Sequence, residues 1–413
     1  MNSILGGIIM KIVCIALVVL QSLGINVSFL KPQPEKEWKT NYTYVLFHGV
    51  IGWGDYNPVL DEALPYFGLL SYDVSDYLNL NGFKCCAVTN SLLRGTWDRA
   101  CEAYAQLTGT RVDYGEAHSK AHHHARYGRD YSSCPLMTGW SSENKINIIG
   151  HSFGGETVRM FVELMSNGSE EERRTTTDGT LSELFKGGKS DWIYSTVSLS
   201  TPLNGTTLME CRKNFEEIFD TAIKNGQDVY FTNSLESPSN LSFSKVMGSL
   251  LKLTSDMTAM GEYSSAYELS VDGALDLNEE IGFEDNIYYI SRPTSITEAD
   301  ETGEFQVPRT GTDPALWMSS YLMGRMSLTT DKGHVVDSAW YENDGLVNTI
   351  SEFAPFDDEC VNVEIDPAQI KYGRWNALPT VKIAHTSAVG GLFKAEDIRE
   401  YYYELCDMIN RIG

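Results

Sequence analysis

Apolar and polar residues follow two periods along the chain, which predict strands and helices in alternation. Short runs rich in β-branched and aromatic residues predict buried strands. They lie at 43–47, 83–88, 145–149, 193–199, 286–291 and 380–384. Apolar residues at helical spacing predict helices at 97–107, 156–165 and 395–412. Strands that alternate with helices favour a mostly parallel sheet with helices on both faces, so the expected fold class is α/β.

One region interrupts this alternation, between about residues 207 and 262. The segments NFEEIFDTAIKNG and FSKVMGSLLKL both place apolar residues at i, i+3, i+4 and i+7, which predicts two amphipathic helices. These helices either pack on the core like other surface helices or form a lid over an acyl-binding cleft. We expect a helical lid insertion at 207–262 within a catalytic domain of residues 40–413.

The stretch KINIIGHSFGG combines a predicted strand, a glycine-flanked serine and a predicted helix. This order is typical of a nucleophile elbow, where the tight turn exposes the serine hydroxyl above the sheet. Ser152 is the candidate nucleophile, and an ordinary glycine-rich turn is the alternative. The backbone N–H of Phe153 would lie at a helix N-terminus, where negative charge is stabilised.

A serine nucleophile needs a histidine base and an acid that orients it, and in such sheet enzymes the chain order is Ser, Asp or Glu, His. Two histidines follow Ser152. His385 comes directly after the apolar run TVKIA, whereas His334 lies in a polar loop, so His385 is the better candidate base.

The candidate acid is Asp344, in YENDGLVNTIS, and spacing leaves Asp337, Asp357 and Asp366 as competitors. A second backbone donor to an oxyanion is expected just after the first strand. Val50, in the run HGV, occupies that position.

A separate group of residues has the side chains that bind zinc. Asp98 opens the helix WDRACEAYAQL, and EAHSKAHHHARYGRD follows with His118, His122, His123 and His124. Asp with two or more His is a plausible Zn²⁺ set, and a closed four-ligand site would be structural. A solvated histidine-rich loop is the alternative.

Composition narrows the class of partner. The chain has 413 residues and a formal net charge of -24, which argues against nucleic acid or anionic lipid headgroups as partners. Nothing in the sequence implies a protein partner. Met10-Lys11 precedes an apolar run typical of a secretory signal, so residues 1–30 predict a signal peptide and a secreted protein. An uncleaved membrane anchor is the alternative.

Several long strings closely resemble the secreted triacylglycerol lipases of staphylococci and thermophilic bacilli. They are LFHGVIGWG, WDRACEAYAQLTGTRVDYGEAHSKAHHHARYGR, GHSFGGETVRM, STPLNGTTL, YELSVDGALDLN and YENDGLVNTIS. The resemblance runs from about residue 43 to the C-terminus and is weakest across 208–262. It implies an α/β-hydrolase fold with Ser152, Asp344 and His385 as the catalytic set and Val50 and Phe153 as oxyanion donors.

The same resemblance implies a structural Zn²⁺. Its first three ligands match Asp98, His118 and His124. The fourth, an Asp in the family, has no clean match, because Tyr263 stands at the equivalent offset with Glu262 beside it and Asp256 further back; we assign Glu262. A calcium site of the bacillus-type members is expected to be absent, because Ser387 and Leu392 replace its acidic residues.

These features predict a secreted triacylglycerol lipase that hydrolyses acylglycerols at an oil-water interface by an acyl-enzyme mechanism with no organic cofactor. An esterase for short, soluble acyl esters is the nearer alternative. A non-catalytic lipid-binding protein on a hydrolase scaffold is the more distant one.

Overall fold

The computed structural model describes residues 36–50, 52–57, 64–210, 264–391 and 395–413. The chain divides into residues 1–39 and 40–413, and the second unit holds the strands and helices given below. The predicted signal segment, nearly all of the predicted lid, and Glu262 lie outside the described residues, so they stay predictions. No helix within the described part of the chain is long and apolar enough to cross a membrane.

A parallel sheet of seven strands forms the centre of the second unit. In chain order the described strands are β1 (Thr43–Phe47), β2 (Cys85–Val88), β3 (Arg111–Asp113), β4 (Tyr127–Asp130), β5 (Ile146–His151), β6 (Ile193–Leu199), β7 (Tyr288–Arg292), β8 (Thr297–Ala299), β9 (Gln306–Pro308), β10 (Leu328–Thr329), β11 (Val335–Val336), β12 (Cys360–Asn362) and β13 (Trp375–Ala377). The central sheet has the order β12-β13-β7-β6-β5-β1-β2, and its neighbouring strands all pair in parallel. The remaining strands form three two-stranded antiparallel pairs.

Helices cover the sheet, as parallel strands require for their connections. In chain order they are α1 (Val74–Leu80), α2 (Thr96–Thr108), α3 (Glu116–Ala121), α4 (Phe153–Ser166), α5 (Glu170–Thr175), α6 (Ser265–Glu268), α7 (Val271–Glu280), α8 (Pro314–Met323) and α9 (Arg399–Asn410). Short 3-10 helices at Glu183–Lys186, Ser190–Trp192, Ser338–Trp340, Thr349–Glu352 and His385–Val389 complete the described elements.

The main core lies between the sheet and the helices α2 and α4. Strand β5 is buried along its whole length, as expected of a strand covered on both faces. Phe161 of α4 packs between Phe47 of β1, at 5.7 Å between ring centroids, and Trp140, at 6.1 Å. This packing fixes α4 against the middle of the sheet and so fixes the residue that precedes α4.

The sequence prediction of an α/β fold is confirmed, and most predicted strands match within three residues. The predicted strand 380–384 is wrong. Val381 makes only an isolated bridge to Thr294, and β13, at residues 375–377, is the strand that pairs with β7. Pro379, which has no N–H to donate, interrupts the run between β13 and Val381.

Candidate active site

The carboxyl ends of the central strands gather the candidate residues at one edge of the sheet. Phe47 at the end of β1 pairs with Gly150 of β5, and His151 at the end of β5 pairs with Leu199 of β6. Leu199 in turn pairs with Arg292 of β7. In parallel sheets this edge is where ligands bind. The segments that follow these strands carry Val50, Ser152 and Thr294, three positions of the candidate site.

Ser152 occupies the sharp turn between β5 and α4. Its backbone has φ 57° and ψ -134°, a conformation that costs free energy for any residue except glycine. The Ser152 N–H donates to the Leu199 carbonyl at 2.9 Å, and its own carbonyl accepts from Gly155 N at 2.9 Å. Hydrogen bonds to β6 and to the first turn of α4 therefore hold the strained turn. It places the Ser152 side chain at the N-terminus of α4.

The glycines around Ser152 are required by close backbone contacts. A Cβ on Gly154 would lie 2.2 Å from the Phe47 carbonyl oxygen, and one on Gly150 would lie 2.6 Å from the Gly155 backbone. A Cβ on Gly155 would lie 2.0 Å from Thr201 Oγ1. No side chain fits at these distances, so α4 can approach β1 and β5 only because these positions lack a Cβ.

Asp344 and His385 form a buried pair although 41 positions separate them. Nδ1 of His385 lies 2.7 Å from Oδ2 of Asp344, and the His385 N–H donates to the Asp344 carbonyl at 3.1 Å. A carboxylate only accepts, so Nδ1 carries the proton and Nε2 is left with its lone pair. The N–H groups of Leu346 and Val347 donate to the other oxygen, Asp344 Oδ1, at 2.9 and 2.7 Å.

The loop that follows β1 is held by a buried arginine from α2. Arg99 Nη2 donates to the carbonyl of His48 at 2.5 Å and to that of Gly49 at 3.3 Å. In a trans peptide the C=O and N–H point in opposite directions, so the N–H of Val50 points away from Arg99. A Cβ on Gly49 would lie 2.9 Å from Ser152 Cβ, so this loop lies directly against the serine.

His48 is a neutral part of the same loop. It accepts from Asn90 N at its Nε2, 2.9 Å away, so its Nδ1 carries the hydrogen and donates to the Gly49 carbonyl at 2.7 Å. Burial, and then the charge of Arg99, lower the pKa of His48 to about 3. The loop therefore keeps one hydrogen-bond pattern across ordinary pH.

A chain of hydrogen bonds joins this loop to the turn of Ser152 and to the His385 segment. Gly49 N–H donates to the Tyr66 hydroxyl at 3.0 Å, and that hydroxyl donates to His151 Nδ1 at 2.8 Å. The single ring hydrogen of neutral His151 is on Nε2, which donates to the His385 carbonyl at 3.1 Å. Burial, followed by the neighbouring charge of His385, lowers the pKa of His151 well below its usual value. Three segments distant in sequence are thus fixed together by neutral groups.

The competing candidates lie elsewhere. His334 is exposed in the loop between β10 and β11, with its Nε2 4.0 Å from Asp272. Asp337 accepts from the N–H of Ala339 at 2.9 Å and so caps a 3-10 helix, and Asp366 accepts from Ala368 N at 2.9 Å. Asp357 is exposed. Among the competing pairs, the structure brings only Asp344 and His385 together within the part of the chain it describes.

The three described zinc-ligand candidates also lie together. Ligand atoms of Asp98, His118 and His124 all lie within 4.8 Å of one another. His118 Nε2 is 3.0 Å from Asp98 Oδ1, and His124 Nε2 is 3.7 Å from the same oxygen. His122 is adjacent to His118, with 4.4 Å between ring centroids, but is not part of this group.

The donor atoms of this cluster suit a metal ion. His124 Nδ1 donates to the carbonyl of Ala125 at 3.0 Å, which leaves the lone pair on Nε2. That Nε2 is buried and has no hydrogen-bond partner in the described part of the chain. Trp97 stacks on the His118 ring at 4.9 Å and fixes its plane. This group could hold a metal.

Several residues that shape the site were not singled out from the sequence. They are His48, Tyr66, Arg99, His151, Thr294 and Glu352. Their roles depend on contacts between distant parts of the chain, such as Tyr66 with His151 or Arg99 with His48. No local pattern signals these roles. Arg99, for example, lies on the opposite side of the helix WDRACEAYAQL from its apolar residues Trp97, Cys101 and Tyr104.

Comparison with known proteins gives consistent matches over most of the chain. The family described as "Lipase-like, C-terminal domain" matches residues 40–234 and 244–412. Lipase 2 of Staphylococcus aureus is 29% identical over 357 residues, which are 83% of this chain and 49% of that protein. The chain therefore spans about half the length of the curated relatives it matches.

Solved structures agree in fold. EstA from Clostridium botulinum is 31% identical with a TM-score of 0.74, over 92% of this chain and 91% of that one. Lipase 1 from Pelosinus fermentans is also 31% identical, with a TM-score of 0.70 over 90% and 99% of the two chains. Staphylococcus hyicus lipase is 25% identical with a TM-score of 0.70, over 92% and 98%. The chain belongs to the staphylococcal-type lipase family and has its α/β-hydrolase fold.

Proposed function

We propose that this protein is a carboxylic ester hydrolase with Ser152 as nucleophile, His385 as general base and Asp344 as the acid that orients His385. Membership of the lipase family supports ester hydrolysis in general. The observation that carries the assignment of residues is the buried contact of 2.7 Å between His385 Nδ1 and Asp344 Oδ2. It presents Nε2 of His385 as a base at the same sheet edge as the strained Ser152.

The first half of the reaction forms an acyl-enzyme. Ser152 Oγ attacks the ester carbonyl while His385 Nε2 accepts the hydroxyl proton. Asp344 holds the proton on Nδ1 and stabilises the imidazolium that forms. His385 then returns the proton to the departing alkoxide. In the second half, water attacks the acyl group, and the same proton transfers release the carboxylic acid and restore Ser152.

The negative charge on the substrate oxygen needs fixed donors. The N–H of Phe153 is the first of α4 and has no partner within the helix. The N–H of Val50 belongs to a loop whose carbonyls are tied to Arg99. Both donors are set before substrate binds, which is the condition for strong oxyanion stabilisation.

The substrate class is proposed as acylglycerols and related lipid esters. Relatives in the comparison are named lipases, and one structural relative is named EstA. A carboxylesterase for short, dissolved esters is the second candidate, because such an enzyme would not need the amphipathic segments of 207–262 to open at an interface. The two differ in whether the rate rises when the ester forms an emulsion.

We also propose that Asp98, His118 and His124 hold a structural Zn²⁺, with Glu262 as the expected fourth ligand. A carboxylate and two neutral imidazoles are ligands that Zn²⁺ prefers. When bound, the ion would supply a cross-link between α2, α3 and the segment that follows α3. Arg94 donates to Asp98 Oδ2 at 2.5 Å, while Asp98 Oδ1 faces Nε2 of His118 and of His124, the other proposed ligand atoms.

The function is tested with an ester series from acetyl to long-chain acyl, both dissolved and emulsified, using the purified protein and its Ser152→Ala variant. Long-chain activity that rises at the emulsion and is lost in the variant supports a lipase. Activity confined to dissolved short esters supports the esterase. Activity that survives unchanged in the Ser152→Ala variant would contradict the proposed nucleophile.

A serine-reactive fluorophosphonate probe tests the more distant alternative of a non-catalytic protein. An activated Ser152 should be labelled, and both His385→Ala and Ser152→Ala should abolish the labelling, because the hydroxyl needs its base. Equal labelling of the wild type and the Ser152→Ala variant would show that the probe reacts elsewhere.

A further inference from the structure

A second carboxyl lies behind the Asp344–His385 pair. Glu352, the last residue of the 3-10 helix Thr349–Glu352, is fully buried, as are Asp344 and Thr294. The hydroxyl of Thr294 lies 3.0 Å from Asp344 Oδ2 and 3.0 Å from Glu352 Oε2. The two carboxyls therefore meet at the same hydroxyl, and they are close enough to interact directly with each other.

Counting hydrogens around that hydroxyl gives a definite result. Thr294 Oγ1 carries one hydrogen, yet two carboxyl oxygens and Ser200 Oγ, at 2.8 Å, all lie within hydrogen-bond distance. If Asp344 and Glu352 were both ionised, at least one of them would face a lone pair of Thr294 with no hydrogen between. A proton on one carboxyl resolves this, because that group then donates to Thr294.

The donors around the two carboxyls decide which one holds the proton. Asp344 accepts from Leu346 N, Val347 N and His385 Nδ1 besides Thr294. Both oxygens of Asp344 therefore have donors, as an ionised carboxylate requires.

Glu352 has fewer hydrogen-bond donors around its carboxyl than Asp344 has. Its Oε2 accepts from Thr294 N at 2.7 Å, while its Oε1 is buried and has no hydrogen-bond partner among the described residues. Burial first, and the charge of Asp344 second, raise the pKa of Glu352 well above its usual value. Glu352 has a buried oxygen with no donor and lies beside another carboxylate, so a negative charge is less favourable on Glu352 than on Asp344.

We propose that Glu352 is a positioning residue of the Ser152 site: as a neutral carboxylic acid it donates to Thr294 Oγ1, and the Thr294 hydroxyl hydrogen is thereby directed to Asp344. This inference rests on the proposed function. It adds a relay from Glu352 through Thr294 to Asp344 and His385. Loss of the Glu352 proton would draw the Thr294 hydrogen away from Asp344 and place a second negative charge beside it.

Other charged and titratable groups face this place. Asp344, with His385 beyond it, lies on one side, and Tyr401 of α9 lies on another. Arg292, at the end of β7, lies 5.8 Å from the Tyr401 ring and is a cation whose charge would oppose the proposal. The experiment must therefore distinguish a neutral Glu352 from one that Arg292 keeps ionised.

The test compares wild type, Glu352→Gln and the control Glu342→Gln by kcat/KM on a dissolved p-nitrophenyl ester, from roughly pH 5 to 10. Glutamine is permanently neutral, and its amide oxygen in the place of Oε2 still accepts from the Thr294 N–H. With no charge at this place, the Thr294 hydroxyl hydrogen stays directed to Asp344. The proposal expects the acid limb of Glu352→Gln to coincide with that of wild type. It expects kcat/KM of the wild type to fall on the alkaline side where Glu352 loses its proton, and kcat/KM of Glu352→Gln to fall less there.

Two outcomes overturn the proposal. If Glu352 is ionised in the active enzyme, its replacement by glutamine removes a negative charge near His385 and moves the acid limb to lower pH. If neither limb moves, Glu352 is a structural residue without coupling to the site. Glu342→Gln, which breaks the partly exposed ion pair with Lys382, should follow the wild-type profile throughout.

An infrared difference spectrum of wild type minus Glu352→Gln at neutral pH provides a readout that needs no activity. A protonated carboxyl C=O band is expected, and a carboxylate band alone would overturn the proposal. If the wild type hydrolyses no ester, the proposed function fails while this spectrum still reports the Glu352 proton.

A second pair of variants tests the relay through Thr294. Thr294→Val removes the hydroxyl and should lower kcat/KM about tenfold, whereas Thr294→Ser keeps the hydroxyl and should recover most of the activity. Equal activity in Thr294→Val and wild type would show that Asp344 does not depend on this hydroxyl.

Discussion

At the scale of single residues, the candidate site is decided by which atoms donate and which accept. The sequence predicts the residue types and their order, Ser152, Asp344 and His385, from the elbow and from an apolar run before the histidine. It does not predict that Asp344 is served by two backbone N–H groups on one oxygen and by two side chains on the other. That arrangement determines which nitrogen of His385 carries the proton.

Asp344→Asn is expected to lower kcat about 10³- to 10⁴-fold, as the corresponding change does in another serine enzyme. The amide oxygen will stay with the N–H groups of Leu346 and Val347, so the amide NH₂ will face His385 Nδ1. That NH₂ forces Nδ1 to accept, which moves the ring proton to Nε2, where the base is needed.

Steady-state kinetics on a dissolved ester measure this effect, and Glu342→Gln, two positions away, is the matched control. Thermal melting of both variants should lie close to wild type, because the asparagine keeps the size of the side chain. A variant that keeps more than a tenth of wild-type kcat would show that Asp344 does not set the tautomer.

At the scale of elements, the pattern of apolar residues was sufficient for the sheet but not for its edge. Strands β1 and β6 match their predicted bounds because both are short runs rich in β-branched and aromatic residues and almost every position in them is buried. The run 380–384 has the same composition, but its place beside β7 is taken by β13. Pairing is a competition between segments, which a local pattern cannot resolve.

Gly154→Ala is expected to destabilise the fold by about 3 kcal/mol or more, because its Cβ would lie 2.2 Å from the Phe47 carbonyl oxygen. A backbone oxygen inside a sheet cannot move aside, so α4 must shift away from β1. Urea unfolding measures the change. Gly282→Ala is the control, because its Cβ would meet only the end of the Glu163 side chain at 3.3 Å. Equal losses in both variants would contradict the packing argument.

The metal proposal also belongs to the elements, because its ligands join α2 to α3 and to the segment after α3. Removal of a bound ion should lower Tm by several degrees, since binding free energy contributes to folding. Thermal melting with and without a chelator tests this, followed by metal analysis of the untreated protein.

His118→Ala should melt at the lower temperature in both conditions, since it removes a ligand. His122→Ala should keep the chelator effect, because His122 is adjacent to the cluster without belonging to it. A chelator effect that is the same in His118→Ala and in wild type would exclude these residues as the site.

At the scale of the whole molecule, the site is assembled from segments that meet only in the folded chain. Thr294 follows β7, Asp344 lies in a loop before the 3-10 helix Thr349–Glu352, Glu352 ends that helix, and Tyr66 comes from the segment before α1. Each was visible in the sequence as a polar residue, but without its partners no role could be assigned. Chemistry that follows one motif was therefore predictable, and chemistry shared between distant loops was not.

Buried carboxyls and buried histidines change the free energy of unfolding in opposite directions as pH rises. Burial raises the pKa of Glu156 to about 7 and that of Glu268 to about 8, and it raises that of Glu352 well above 4.5. A carboxyl whose pKa is higher in the folded than in the unfolded state lowers the free energy of unfolding as pH rises from its unfolded-state pKa to its folded-state pKa. His48 and His151 have lowered pKa values in the folded protein, so they lower the free energy of unfolding as pH falls below 6.5.

The two sets oppose each other between about pH 4.5 and 6.5 and no longer do so above that range. Above pH 6.5 the histidines are neutral in both the folded and unfolded states and add no slope. Glu268 continues to lower the free energy of unfolding until about pH 8. We therefore expect the free energy of unfolding to fall more steeply with pH between pH 6.5 and 8 than between pH 4.5 and 6.5.

Glu268→Gln should flatten that fall by about 1.4 kcal/mol per pH unit, the slope that one titrating group contributes. The glutamine oxygen can still accept from Thr96 N, the contact that Glu268 makes at 2.7 Å at the start of α2. Urea unfolding at four pH values between 5.5 and 8 gives the slopes for the wild type and the variant. Glu183→Gln, at an exposed ion pair with Lys186, should run parallel to wild type. If Glu268→Gln also runs parallel, Glu268 is ionised throughout this range in the folded protein, and the alkaline loss of stability has another source.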